Sequence, residues 1–144
     1  MKNLRNFDYF LEMKVVSKHS PDVERSKSLI IESEKKFKFF EKIKLRLGFN
    51  ELYPNYVVDT CYDIVLQLIR AKMLFDGYKT DSHEAEVSYM KILEFSENEV
   101  NFMNQLRYYR NGIKYYGTIL DEEYAKKVFE FVNKIIPKIK KILK

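Results

Sequence analysis

Apolar residues recur along most of the chain with the period of an α-helix. The clearest case lies late in the chain, where Phe102, Leu106, Tyr109 and Ile113 follow one another at i, i+4, i+7 and i+11 and would share one helix face. With the start and stop signals between apolar runs, this periodicity predicts helices over about 3–16, 21–47, 55–76, 82–95, 97–116 and 122–143. The sequence therefore predicts an all-α protein, an up-and-down bundle of about five to six helices.

The third predicted helix is the most apolar of the six and carries apolar residues on more than one face, which indicates the central core helix. Cys61, the only cysteine, lies in this helix and is expected to be a small buried apolar residue. Local signals predict the helix ends. Ser20, before Pro21, is expected to cap the second helix, and Asp121 is expected to cap the last one. Capping boxes are predicted at Asp81–Glu84 (with Asp81 as the cap) and at Ser96–Glu99, and Gly48, Gly77 and Gly117 are expected to end helices. Pro137 is expected to kink or split the last helix.

The length of 144 residues predicts a single domain spanning 1–144, with a helix and connector over 1–19 and the bundle over 20–144. No apolar run approaches the roughly 18 residues of a membrane span, and the N-terminus is charged where a signal peptide needs an apolar core. We therefore expect a cytoplasmic protein without a membrane partner. The net charge of +5 is uneven, because residues 1–50 and 134–144 each carry +5 and residues 51–133 carry −5.

A dense basic face distinguishes the fifth predicted helix. Arg107, Arg110 and Lys114, with Asn104 and Asn111, fall on a face different from the apolar stripe, and no acidic residue occurs over 101–120. Cations and amides beside tyrosines form a surface suited to phosphates and bases. The same pattern also arises in a solvated structural surface, or in arginines that pack against a partner helix.

Several chemistries lack the residues that they need. The four scattered glycines form no phosphate-binding loop, and there is no Cys/His cluster for zinc, so we predict neither a cofactor nor a metal site. His19 is expected in a connector. His83, near Glu84 and Glu86, is expected at a capped, solvated helix start, and nothing in the sequence places it beside the basic face.

The stretch Arg110-Asn111-Gly112-Ile113-Lys114-Tyr115-Tyr116-Gly117, late in a helical bundle, resembles the signature of HEPN domains. That signature is an Arg, usually followed by a polar residue such as Asn, and a His four to six residues after the Arg. Residues 63–89 resemble the preceding helix pair of prokaryotic HEPN proteins, and Ser26–Ile30 resembles part of their first long helix. The resemblance covers about residues 20–140.

The resemblance implies a small helical bundle that forms a homodimer and brings two signatures together in one cleft. Many members are metal-independent ribonucleases, often toxins paired with a nucleotidyltransferase antitoxin. Arg110 would hold the scissile phosphate, and Asn111 would orient it or a 2′-hydroxyl. The position of the signature His is occupied by Tyr115, or by Tyr116 with one more spacer. A tyrosine, with an ordinary pKa near 10, is a poor base at neutral pH but can stack on a base or donate a hydrogen bond.

Two functional hypotheses remain. In the first, the protein is an HEPN-like homodimer that acts on RNA, either as a metal-independent ribonuclease toxin or as a degenerate version of one. Its catalytic residues would be Arg110, Asn111 and Tyr115, and Arg107, Lys114 and Tyr116 would bind the nucleic acid. In the second, it is a catalytically inert helical protein that partners a small nucleotidyltransferase or binds a nucleotide.

Overall fold

Six α-helices form an all-α helical bundle in the computed structural model, which describes residues 3–143. The helices are α1 (Phe7–Glu12), α2 (Val23–Leu47), α3 (Pro54–Asp76), α4 (His83–Ile92), α5 (Glu97–Tyr116) and α6 (Glu122–Ile142). Two short strands, β1 (Ser17–Lys18) and β2 (Tyr78–Lys79), pair antiparallel, and a 3-10 turn occupies Phe49–Glu51. None of the helices in residues 3–143 combines the length and apolar character needed to span a membrane.

The most apolar helix, α3, lies at the centre of the bundle, as its sequence predicts. It packs against α2, α4, α5 and α6, so that side chains on nearly its whole circumference are buried. Tyr62, Ile64 and Ile69 are fully buried, and so is Cys61. Burial raises the pKa of the Cys61 thiol to about 12, which keeps the thiol protonated and confirms that it acts as a core residue.

Several helix ends form where the local signals predict them. The Ser96 hydroxyl accepts a hydrogen bond from the Glu99 backbone N–H, and the Glu99 carboxylate accepts one from the Ser96 N–H, which completes the predicted capping box. The side chain of Asp121 caps α6, as predicted. Gly77 and Gly117 follow α3 and α5 in the left-handed conformation that glycine adopts without strain.

Other helix ends differ from the prediction by a few residues. Ser82 rather than Asp81 caps α4, and Asp22 rather than Ser20 caps α2. The first helix covers Phe7–Glu12 instead of about 3–16, because the chain turns at Lys14, whose φ is +59°. The fourth helix ends at Ile92 rather than near 95. Pro137 does not split α6, which is continuous from Glu122 to Ile142.

The sequence did not indicate the β1–β2 pair, which ties the N-terminal segment to the α3–α4 junction. Ser17 lies opposite Lys79, Lys18 lies opposite Tyr78, and the His19 N–H donates to the Gly77 carbonyl at 2.7 Å. Two-residue strands lack the alternating pattern that would predict them. The consequence is that a chain segment before α2 lies against the loop that leads into α4.

The apolar face of α5 is rotated relative to the predicted one. Leu106 is fully buried, and Phe102, Tyr109 and Ile113 are only partly buried. Val100, Met103 and Asn104 point into the bundle instead, with Asn104 only 5% exposed. The assignment of Asn104 to the polar face was therefore wrong, because its polar side chain is accommodated inside by hydrogen bonding to Arg107.

Candidate functional site

The C-terminal half of α5 carries Arg107, Arg110 and Lys114 at i, i+3 and i+7, which places them on one side of the helix. The loop after the helix folds back, with the Thr118 N–H donating to the Gly112 carbonyl at 3.1 Å. A Cβ at Gly112 would lie 2.9 Å from the Thr118 hydroxyl oxygen. The glycine inside this helix therefore permits the loop to pack closely against it.

Asn55, at the start of α3, fixes the loop after α5. Its side-chain amide donates to the Thr118 carbonyl, and its side-chain oxygen accepts from the Leu120 N–H, both at 2.8 Å. Asn55 is 7% exposed, so both bonds are shielded from water. This clamp holds the end of α5 beside the first turns of α3.

One stripe of α3 is polar although the rest of the helix is apolar. Asp59, Asp63, Gln67 and Arg70 recur at i, i+4, i+8 and i+11, and the last three line a cavity together with side chains of α2, α4 and α5. Arg110 lies across this stripe, with its Nε 3.2 Å from Asp59 Oδ1 and 3.4 Å from Asp63 Oδ1. Its side chain is only 12% exposed, so the two carboxylates hold the guanidinium in a largely buried position.

A cavity of about 280 Å³ opens at this stripe. Side chains from four helices line it. They are Lys36 of α2; Asp63, Leu66, Gln67 and Arg70 of α3; His83 of α4; and Arg110 of α5. Lys36 donates to the Gln67 side-chain oxygen at 3.2 Å across the α2–α3 boundary. We call this space the Arg110 cavity.

His83 contributes an imidazole to the wall of the Arg110 cavity. Its Nδ1 lies 3.4 Å from the hydroxyl of Tyr62, whose ring also lies 5.5 Å from the Arg110 guanidinium carbon. Partial burial, then the charges of Arg110, Arg70, Lys114 and Arg107, lower the pKa of His83 to about 4. The imidazole is therefore neutral at pH 7.

A buried ion pair fixes one wall of the cavity. Arg70 binds Glu86 through both Nε and Nη2, with the Nη2–Oε1 bond at 3.0 Å. The Glu86 side chain is completely buried, whereas the Arg70 side chain is 35% exposed. Burial raises the pKa of Glu86, and the bond from Arg70 opposes that shift. Because Glu86 lies in α4, the pair also holds the helix that carries His83.

The residues predicted from sequence occupy two environments. Arg110 lines the cavity, and Arg107 and Lys114 lie close enough for their charges to act on His83. Asn111 is partly buried. Tyr115 and Tyr116 are 75% and 85% exposed at the end of α5 and, within residues 3–143, are not among the side chains that line this cavity.

The sequence did not indicate that residues of α3 and α4 would line a cavity together with Arg110. His83 was expected at a solvated helix start, but it is half-buried and borders the Arg110 cavity. The available signal was the polar stripe of Asp59, Asp63, Gln67 and Arg70 in an otherwise apolar helix, because such a stripe needs charged or polar neighbours. No comparable signal marked His83, whose position depends on how α4 packs.

No family model matches the chain, and comparisons with curated proteins and with solved structures find no match either. Within residues 3–143, no group of three or more His, Cys, Asp or Glu side chains is arranged to hold a metal ion. The Arg110 cavity and the cations of α5 are therefore the features of this chain that indicate a function.

Proposed function

We propose that this protein binds RNA, with the phosphate backbone lying along the cations of α5 at the mouth of the Arg110 cavity. The observation that supports this proposal is the positive electrostatic field at His83. Burial is the largest cause of the lowered pKa of this side chain, and four cations from two helices, Arg110, Arg70, Lys114 and Arg107, lower it further. A field that disfavours a proton on an imidazole favours a phosphate at the same place.

Arg107 and Lys114 carry the charges that are most available to phosphate. Arg107 Nε and Nη2 both donate to the Asn104 side-chain oxygen, a neutral partner, and Lys114 is exposed. Within residues 3–143, neither takes part in a salt bridge. Their charges are therefore not cancelled by a contacting carboxylate, as that of Arg110 is.

Arg110 would contact the phosphate from the cavity wall. Its contacts with Asp59 and Asp63 both use Nε, and phosphate would be bound through Nη1 and Nη2, which form a planar pair of donors. The two carboxylates fix the guanidinium, so little conformational entropy is lost on binding. The resemblance to HEPN domains, which gives Arg110 and Asn111 the same role, supports the proposal independently of the cavity.

Neutralising the cations of α5 is expected to weaken RNA binding in a salt-dependent manner. Arg107→Gln and Lys114→Gln should each reduce the affinity for a fluorescently labelled single-stranded RNA of mixed sequence. Each should also lower the slope of log Kd against log salt by about one, because each removes one phosphate contact. Fluorescence anisotropy at several salt concentrations measures both quantities.

The matched control is Lys141→Gln, an exposed cation in the last turns of α6. That part of the bundle lies near the opposite end of α5, since Lys138 of α6 bonds Glu99 at 2.7 Å. Lys141→Gln should bind RNA like the unaltered protein. The proposal fails if the unaltered protein does not bind RNA at low salt, or if all three variants bind equally well.

A second role, protein association, is favoured by an exposed apolar patch beyond the cavity. Tyr108, Tyr115 and Tyr116 in the second half of α5 and Ile119 in the following loop are between 53% and 85% exposed. Exposed aromatic residues of this kind mark protein interfaces. The resemblance implies that the partner is a second copy of the chain, and a nucleotidyltransferase is the other candidate.

If the patch forms a homodimer, light scattering after size-exclusion chromatography should give about twice the 17.4 kDa chain mass. The double variant Tyr115→Ser/Ile119→Ser should run as a monomer, because it removes apolar area from the interface. Leu45→Ser is the control, since Leu45 is 84% exposed on α2. A monomeric unaltered protein would instead leave this patch to another partner.

A further inference from the structure

We propose that the protein has a second binding site, for a small phosphate monoester that carries hydroxyl groups, in a cavity between the β1–β2 pair and the start of α2. This cavity has a volume of about 290 Å³ and is lined by residues of both strands, of α2, α3 and α4, and of the loop before α4. Its volume lies at the lower end of the range for small-molecule pockets, roughly 300–1,000 Å³. We call it the Arg25 cavity. Of the described residues, only Arg70 lines both this cavity and the Arg110 cavity, and binding there does not depend on RNA.

Hydrogen bonds between neighbouring elements fix the walls of the Arg25 cavity. The Ser26 hydroxyl donates to the Ala71 carbonyl at 2.6 Å, a buried bond that holds the start of α2 against α3. The Thr80 hydroxyl donates to the Val15 carbonyl at 2.9 Å, which holds the loop before α4 against the segment before β1. A ligand therefore meets a preformed pocket and orders few additional groups when it binds.

Two cations at this cavity have no acidic partner. Within residues 3–143, neither Arg25 nor Lys79 takes part in a salt bridge, whereas the charge of Arg70 is balanced by Glu86. Arg25 is exposed and Lys79 is partly exposed, so both side chains can reach a ligand at the mouth of the cavity. A guanidinium and an ammonium group that lack a carboxylate partner are suited to bind a phosphate.

Asp81 indicates that the ligand is more than a bare anion. Burial and then the charge of Asp81 raise the pKa of Glu86, so the Asp81 carboxylate lies near the Arg70–Glu86 pair in the cavity wall. An ionised carboxylate repels a phosphate but accepts hydrogen bonds from hydroxyl groups. We therefore assign the phosphate to Arg25 and Lys79, and the hydroxyl groups of the same ligand to Asp81.

The test is a titration of the isotope-labelled protein with glucose 6-phosphate, followed by NMR, with inorganic phosphate and glucose titrated in parallel. Glucose 6-phosphate should shift the backbone amide signals of residues 17–19 and 78–81, which border the Arg25 cavity. Inorganic phosphate should shift the same signals only at higher concentrations, because it lacks the hydroxyl groups that bind Asp81. Glucose alone should shift none of them, because it lacks the charge.

Removing either free cation should weaken the site. Arg25→Gln and Lys79→Gln should each reduce the affinity for glucose 6-phosphate about tenfold, the effect of losing one hydrogen bond to a charged group. Lys18→Gln is the matched control, because Lys18 is an exposed cation of the same strand pair and is not among the described residues that line the cavity. It should bind glucose 6-phosphate like the unaltered protein.

Asp81→Ala distinguishes a specific site from general attraction between charges. Asp81 is exposed and does not cap α4, so its removal leaves the start of that helix intact. Inorganic phosphate should bind this variant more tightly, because a like charge is gone, whereas glucose 6-phosphate should lose its advantage over inorganic phosphate.

Three results would each overturn the inference. The first is that glucose 6-phosphate leaves the amide signals around the Arg25 cavity unchanged. The second is that Lys18→Gln weakens binding as much as Lys79→Gln does. The third is that Asp81→Ala tightens the binding of both ligands equally. None of these results would affect RNA binding by the cations of α5, which is measured separately.

Discussion

Replacing Gly77 with alanine is expected to destabilise the fold by about 3 kcal/mol. Gly77 ends α3 with φ of +90°, a conformation that costs a residue with a Cβ about 1–2 kcal/mol. The new Cβ would also lie 2.5 Å from the His19 carbonyl oxygen, which is backbone and cannot rotate away. Relieving that contact requires β1 and β2 to separate, and such strain adds about 1–3 kcal/mol.

Gly117→Ala provides the matched control. Gly117 also ends a helix in the left-handed region, with φ of +64°, but no atom lies within 4 Å of the position that its Cβ would occupy. Its replacement should therefore cost only the conformational part, about 1–2 kcal/mol. Urea unfolding followed by circular dichroism measures both losses. Equal losses in the two variants would show that the approach of His19 to Gly77 is unimportant.

Replacing Arg70 with methionine is expected to destabilise the protein by about 3 kcal/mol at pH 8. The change leaves the fully buried Glu86 without its guanidinium partner, and breaking a buried ion pair costs about 3–5 kcal/mol. The lower end applies because the Arg70 side chain is 35% exposed, so that water already screens part of the interaction. The free energy of unfolding in urea measures the loss.

The same variant should show a distinctive pH dependence. Burial raises the pKa of Glu86, and without Arg70 nothing opposes that shift, so the pKa should rise further in the folded variant. Stability relative to the unaltered protein is lowest at pH 8, where folding buries a charge. The deficit should shrink as the pH falls through the raised pKa, because the folded variant then binds a proton that neutralises Glu86.

The double variant Arg70→Met/Glu86→Leu tests whether the unpaired Glu86 carboxylate causes the loss of stability in Arg70→Met. It removes both charges, so no unpaired carboxylate remains and most of the lost stability should return at pH 8. A deficit for Arg70→Met that is the same at pH 5 and pH 8 would instead assign the loss to packing of the arginine side chain.

The sequence was sufficient where the decisive interactions are local. The capping box of Ser96 and Glu99 spans three residues, and Gly117 follows the helix that it ends, so α5 could be delimited without knowing its neighbours. The central position of α3 also followed from composition, because a helix that is apolar on several faces must be surrounded. These features were enough to predict the helical bundle.

The cavity could not be predicted in the same way, because its members come from four helices. Arg110 and Asp59 are 51 residues apart in the chain, and their contact depends on the packing of α5 against α3. Helical periodicity gives the face on which Arg110 lies, but not what covers that face. His83 was misjudged for the same reason: its sequence neighbours are polar, whereas its spatial neighbours include the buried ring of Tyr62.

The rate at which the Cys61 thiol is modified can measure how often the bundle opens, and no cysteine has to be introduced for this purpose. This thiol is the only one of the chain, and it lies fully buried in α3 with its ionisation suppressed. A thiol reagent reacts with the thiolate, so Cys61 can be modified only in molecules in which α3 has separated from the helices packed against it. When reclosing is faster than modification, the observed rate gives the fraction of molecules in which the core is open. The central helix thus carries an intrinsic probe of how often the native bundle opens under native conditions.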